Sequence, residues 1–200
     1  MKRLVGAHNC VFGSRFLGIY AGSLREWPAL QEKYECYFVL DDMVGHLTQP
    51  VDSESYADKA MYASSQFLSA GITSKKSNIA LTSSIPEIYE IAFLLGHAVD
   101  LEVIGNRYRN TLLAHTPEKQ RNTLGLRSQP SFAEASYCYL GISSYVLGIG
   151  ADYWHGGEEI RSNHAYMSEI VDSFNSALKR KVLRAPALKL GQIPHFLAAD

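Results

Sequence analysis

Residues 17–42 read LGIYAGSLREWPALQEKYECYFVLDD. Leu17, Tyr20, Leu24, Trp27 and Leu30 recur at helical spacing, and Pro28 inside that pattern predicts a kink or break. Glu35 to Asp42 is then nearly continuous in apolar residues, as in a strand buried on both faces of a parallel sheet. Upstream, Leu4, Val5 and Ala7 form a short buried strand, and Gly6 to Gly13 lead as a loop into a helix beginning near Phe16. Downstream come a helix from Tyr56 to Leu68 stopped by Gly71, a strand from Asn78 to Thr82, and a helix opened by Pro86. Alternating strands and helices with short connections predict an α/β fold, a Rossmann-like parallel sheet with helices on both faces.

The second half is harder to read. Leu101 to Leu113 looks helical, Ala114 to Gln129 looks like a polar loop, and Phe132 to Leu147 is a long apolar helix rich in Ser and Gly. Gly148 to Trp154 turns into what reads as the last strand. A helix then runs from Gly156 to about Lys179, with Ile160, His164, Met167, Val171, Phe174 and Leu178 on one face. Residues 181–200 read as a basic, then apolar, tail, and residues 1–200 as one domain.

With 46% hydrophobic and 20% charged residues in 200, the chain can bury a full core, which excludes disordered and fibrous classes. The net charge of −1 demands no polyanionic partner, yet local charge is uneven. Between Arg107 and Arg127 five basic residues face one acid, and between Lys179 and Lys189 five face none. Arg107, Arg109, Lys179, Arg180 and Lys181 are therefore candidate contacts for nucleic-acid phosphates, the alternative being solvated helix ends. The three cysteines (Cys10, Cys36, Cys138) are widely spaced, no signal peptide or membrane span is evident, and the expected compartment is the cytoplasm. His155 and His164 near Glu158 and Glu159 have no established ligand spacing, so no metal and no cofactor are expected.

Gly18, Tyr20, Gly22, Leu24, Leu30, Gln31, Tyr34, Cys36, Phe38, Asp42, Gly71, Ile72 and Pro86 fall in order on the pattern of the catalytic domain of class I tryptophanyl- and tyrosyl-tRNA synthetases, which this sequence resembles over roughly residues 1–113. Gly157-Glu158-Glu159 extends the resemblance more weakly to about residue 175. The resemblance implies a class I synthetase-like fold, with tRNA as partner. It also implies two histidines that donate hydrogen bonds to ATP phosphates, and here Phe16 and Ile19 occupy those places, neither of which can donate. Val11-Phe12-Gly13 stands for the family's ATP loop, and Leu178-Lys179-Arg180-Lys181 lacks the form of its Lys-Met-Ser-Lys-Ser loop. No acid stands near Ser144 or Tyr145, where the family places the aspartate that receives the indole N–H.

This anatomy resembles a second family, the cyclodipeptide synthases, which join two aminoacyl-tRNAs without ATP. That resemblance implies a serine after the first strand as acyl acceptor, here Ser14, and a Tyr-x-x-x-Glu pair on the helix before the fourth strand; the chemistry would equally accept the thiol of Cys10 as covalent relay. Tyr145 matches the tyrosine, Ile149 stands at the glutamate's place, and Glu158 and Glu159 are the substitute acids, with Glu134 a third nearby. The crevice of a Rossmann-like sheet lies at the carboxyl ends of its strands. It should hold Gly6, His8, Asn9, Asp41, Asp42, Tyr137 and Gly157 as substrate contacts. Asp41, Asp42, Glu158 and Glu159 together would suit a cationic amino acid such as arginine. The leading expectation is an enzyme that forms a peptide bond from aminoacyl-tRNAs without ATP, giving a cyclodipeptide; the alternatives are a divergent ligase that still activates an amino acid and an inactive relative that binds amino acid or tRNA. The expected partners are aminoacyl-tRNA, with no DNA and no membrane, and the chain is a monomer or homodimer.

Overall fold

The computed structural model describes residues 1–9, 16–43, 53–107, 129, 131–158 and 160–192. Five strands form one all-parallel sheet in the order β3-β2-β1-β4-β5: β1 (Arg3–Asn9), β2 (Glu35–Asp41), β3 (Ser77–Leu81), β4 (Tyr153–Gly156) and β5 (Ala187–Leu190). The register pairs Gly6 with Phe38 on one side and with His155 on the other. Strand order reverses between β1 and β4, so the carboxyl ends of these two strands frame the ligand crevice.

Period-two alternation divides the core. Leu4, Cys36, Phe38 and Leu40 face one layer, made by α1 (Phe16–Gly22), α2 (Trp27–Leu30) and α3 (Ser53–Ser69), which contribute Ile19, Trp27, Ala63 and Phe67. Val5, Val39 and Trp154 face the other. That layer comprises α4 (Glu87–Gly96), α5 (Leu101–Arg107), α6 (Phe132–Ser136), α7 (Ile142–Gly148) and α8 (Ile160–Ala177). Ser131 and Glu134 start α6 with a reciprocal capping box, so the acid Glu134 is a helix cap. Between α6 and α7 the chain widens into a π-helical turn, Tyr137–Gly141. A Cβ on Gly141 would lie 2.7 Å from the Tyr137 ring, so the absent side chain is what lets that ring fold back.

Several sequence expectations shift. The first helix ends at Gly22, a 3-10 turn spans Leu24–Glu26, and Pro28 sits in the first turn of α2, where its missing N–H costs nothing. The break therefore precedes the proline. The strand expected from Gly148 to Trp154 is corrected to Tyr153–Gly156, because α7 runs to Gly148 and Gly150 turns the chain at φ +66°. The helix expected from Gly156 starts at Ile160. The stretch read as a tail carries a fifth strand, β5, at the sheet edge. The expected helix beyond Arg107 and the polar loop as far as Ser128 lie outside the described residues. Among the described residues no helix is long and apolar enough to cross a membrane.

Candidate functional site

Among the described residues, the floor at the carboxyl ends of β1 and β4 is a close approach of backbone to backbone. A Cβ on Gly22, at the end of α1, would have Gly157 Cα at 3.8 Å, and a Cβ on Gly191 would lie 1.9 Å from the Gly22 carbonyl oxygen. Gly191 extends the β4/β5 ladder by donating its N–H to Gly156 O at 2.8 Å. Only glycine fits at 191, which brings the exit of β5 against the start of the crevice.

Beneath this floor lies a buried polar relay. The Trp27 indole N–H donates to His155 Nδ1 at 3.0 Å, and His155 Nε2 stands 3.1 Å from Glu26 Oε2. An indole N–H can only donate, so Nδ1 accepts, and the network assigns the proton to Nε2, which donates to Glu26. The other oxygen of Glu26 accepts the Gln192 N–H at 2.8 Å, linking β4, the α1–α2 connection and the chain after β5. Trp27 is fully buried, stacked on Phe38 at 4.2 Å and 6°, and edge-on to Phe67 at 5.2 Å. Gly6 belongs to this packing. A Cβ there would meet the indole at 2.5 Å, so the expected substrate contact is the glycine that admits Trp27.

Asp41 and Asp42 close β2. Asp42 is fully buried, and Oδ1 accepts the Thr82 hydroxyl at 2.7 Å and the Ser83 N–H at 2.9 Å, while Oδ2 accepts the Ser83 hydroxyl at 2.5 Å. Three donors of this kind satisfy the oxygens of a buried carboxyl group. Asp41 faces the opposite layer and accepts the Tyr137 hydroxyl at 2.9 Å. Thr82 Oγ1 also lies 3.2 Å from Asp41, but its one hydrogen goes to the nearer Asp42. Burial first, then the Asp41 charge, pushes the Tyr137 phenol far up, so it remains a donor.

The sequence-derived residues divide as follows. His8, Asn9 and Gly157 stand at the carboxyl ends of β1 and β4, where the crevice requires them. Asp41, Asp42 and Tyr137 meet at the end of β2. Tyr145 is a core residue of α7, 5% exposed, with burial raising its phenol pKa. Glu158 turns outward onto Arg161 three residues on, which holds its carboxyl below the usual range, so it does not join Asp41 and Asp42. Arg107 donates to Ser162 O at 2.9 Å and lies over the Tyr166 ring at 4.8 Å, docking α5 on α8. Lys179, Arg180 and Lys181 are exposed beyond α8. Cys10, Ser14, Arg109 and Glu159 lie outside the described residues. The Trp27–His155–Glu26 relay and the Thr82–Ser83 donors were not foreseen.

His8 is half-buried beside Phe67, and burial lowers its pKa to about 4, leaving a neutral imidazole at the mouth of the crevice. Between its unfolded pKa near 6.5 and about 4 the unfolded chain takes up a proton that the folded chain refuses, so stability falls as pH falls. With allowance for its partial exposure the loss is about 2 kcal/mol by pH 4. Urea unfolding at pH 7 and pH 4.5 should show this component in the parent and its removal in His8→Gln; identical pH dependence in both chains would refute it.

The family model "tRNA synthetases class I (W and Y)" matches residues 13–184. A tryptophan–tRNA ligase of Rickettsia felis is 26% identical over 192 residues, covering 96% of this chain and 55% of that protein. Tryptophan–tRNA ligase 2 of Streptomyces avermitilis is 29% identical over 166 residues, covering 82% and 45%. Among solved structures, tryptophanyl-tRNA synthetase of Mycoplasma pneumoniae superposes with a TM-score of 0.78 at 16% identity, covering 96% of this chain and 54% of that one. Tyrosyl-tRNA synthetase of Archaeoglobus fulgidus, complexed with L-tyrosine, gives 0.70 at 20% identity, covering 94% and 53%. The chain thus spans about half the length of the curated relatives it matches. The match over residues 13–184, on a chain whose parallel sheet switches order between β1 and β4, shows that this chain belongs to the family of class I tRNA synthetases of the W and Y type.

Proposed function

We propose that this chain is a divergent tryptophanyl/tyrosyl-type aminoacyl-tRNA ligase domain that binds an amino acid in the β1/β4 crevice and the acceptor end of a tRNA beside it, with ATP-driven activation severely weakened. The observation that carries this reading is Ile19. On the helix where the family presents a phosphate-binding histidine, its side chain packs into the apolar cluster of Leu24, Trp27 and Phe38. A missing donor of this kind costs about 10²–10³ in rate, and Phe16 is a second such position. His8, Asn9 and Gly157 supply the crevice wall in this reading, and Asp41 with Tyr137 fixes the far side. Cys10, Ser14 and Glu159 are further crevice candidates, and Arg107, Arg109, Lys179, Arg180 and Lys181 are tRNA candidates.

Peptide-bond formation from two aminoacyl-tRNAs is favoured by the same loss of phosphate donors. It asks for an acid beside Tyr145, however, and Glu158 is engaged by Arg161. The ligase-type reading is the better supported. Thermal shift against all twenty amino acids is the test. A bound amino acid at hundredfold its Kd stabilises by about 2.7 kcal/mol, which for a chain of this size raises Tm by about 8 °C. No shift with any amino acid, or a new diketopiperazine in the medium of an expressing host, would overturn the proposal.

A further inference from the structure

A basic surface lies at the end of the sheet opposite the crevice. Helix α8 starts beside the carboxyl end of β4 and runs back for 18 residues, about 27 Å at the helical rise. His164, in the early part of the helix, already bonds Pro186 O just before the Tyr153–Ala187 pair that opens β4 and β5, so the helix exit projects past the amino-terminal edge of the sheet. Lys179, Arg180 and Lys181 stand on the turn beyond α8, and the chain then returns through Arg184, which pairs with Asp152 beside Lys2 at the start of β1; all five are exposed. Lys189 of β5 joins them, its ammonium 4.8 Å from the Tyr153 ring centroid and 5.8 Å from that of Tyr34. Lys2 Nζ donates to the Tyr153 hydroxyl at 3.0 Å. The acids found here are already engaged: Asp152 by the Arg3 N–H and by Arg184, Glu35 by Arg3 and the Tyr37 hydroxyl. An open pocket of about 280 Å³, lined by Lys2, Asp152, Tyr153, Arg184 and the segment to Ala187, lies among them.

The basic turn is held in shape. Asn175 accepts the N–H groups of Val182 and Leu183 at 2.8 and 3.0 Å and donates to Leu183 O at 2.9 Å, and Arg180 N–H returns to Asn175 O at 3.1 Å. Lys179 occupies the left-handed region at φ +51°, where glycine is the favoured residue. A lysine is thus kept where backbone chemistry favours glycine, at the tip of a cationic turn.

We infer that this edge is a phosphate-contact surface for the backbone of an RNA, holding the body of the tRNA at a distance from the crevice. The inference rests on tRNA as the partner, and its test separates the two. Deacylated tRNA carries no amino acid, so its fluorescence anisotropy reports RNA contact, while the amino-acid thermal shift reports the crevice. In Lys179→Gly/Arg180→Gln/Lys181→Gln the affinity for deacylated tRNA should fall about tenfold at 150 mM salt, and the log–log salt slope should become shallower by about 2. Lys179→Gly alone should keep or raise Tm, because it relieves the positive φ, while weakening tRNA binding about twofold. The amino-acid thermal shift should not move in either variant. Unchanged affinity and slope in the triple variant would overturn the inference, as would absence of tRNA binding by the parent chain.

Discussion

Trp27→Ala is expected to cost about 4 kcal/mol. The indole is fully buried, fills the space above Gly6, stacks on Phe38 and meets Phe67 edge-on. Its removal leaves a cavity against the central strand and takes the donor from His155 Nδ1, a group buried to 2% exposure. For a chain of 200 residues that is a fall in Tm of roughly 10 °C. Trp27→Phe separates the contributions. It keeps an aromatic ring over Gly6 and loses the N–H, so about 1–2 kcal/mol should disappear. Equal Tm values for parent and Trp27→Ala would mean that the relay and the stack do not hold β1 to β4.

Asp42→Ala comes second, at about 3 kcal/mol. The carboxylate gathers the Thr82 hydroxyl and both donors of Ser83, and so ties the end of β2 to the exit of β3. Alanine removes the acceptor of all three, leaving the buried Thr82 hydroxyl only the longer bond to Asp41 at 3.2 Å and the exposed Ser83 donors only solvent. An asparagine in its place would keep Oδ1 for Thr82 and the Ser83 N–H, and its amide could donate to the Ser83 hydroxyl, which can turn to accept. Asp42→Asn should therefore stay within about 1 kcal/mol of the parent. The pair is read by chemical denaturation. If Asn proved as damaging as Ala, the charge itself, and not the acceptor geometry, would be what this position supplies. If neither substitution altered stability, Asp42 would be a ligand contact rather than the latch between β2 and β3.

How far these features could be read from sequence depends on how local their causes are. The decisive stretch carries its own evidence: an apolar run from Cys36 to Leu40 can be satisfied only inside a sheet covered on both faces, and that is where it lies. Pro28 was legible as an interruption, although a proline fits a first helical turn so well that the break falls ahead of it at Ser23. β5 escaped because four residues, ALKL, with a lysine in the middle, make no period strong enough to separate a short edge strand from a tail. The π-helical turn escaped because it depends on one glycine at 141 admitting a ring four residues back.

The candidate site was legible in part for the same reason. Asp41 and Asp42 stand out as acids ending a buried strand, but their donors, Thr82, Ser83 and Tyr137, come from other strand ends and helices. Trp27 and His155 are 128 residues apart, and nothing near either one signals the bond between them. Glu158 is the instructive case. Its partner Arg161 was in view three residues on, and that spacing at a helix start predicts a solvated ion pair more readily than a pocket acid.

The proposed loss of efficient ATP use follows from two side chains, Phe16 and Ile19, that replace phosphate donors in the resembling synthetases. ATP–pyrophosphate exchange by this chain, run with each of the twenty amino acids, tests it most directly. The expected result is exchange at least about 10³-fold slower than the usual enzymatic range, whichever amino acid is present. Exchange at roughly 1 s⁻¹ or faster with any one of them would contradict the account, because it would show that phosphate is still gripped beside Ile19.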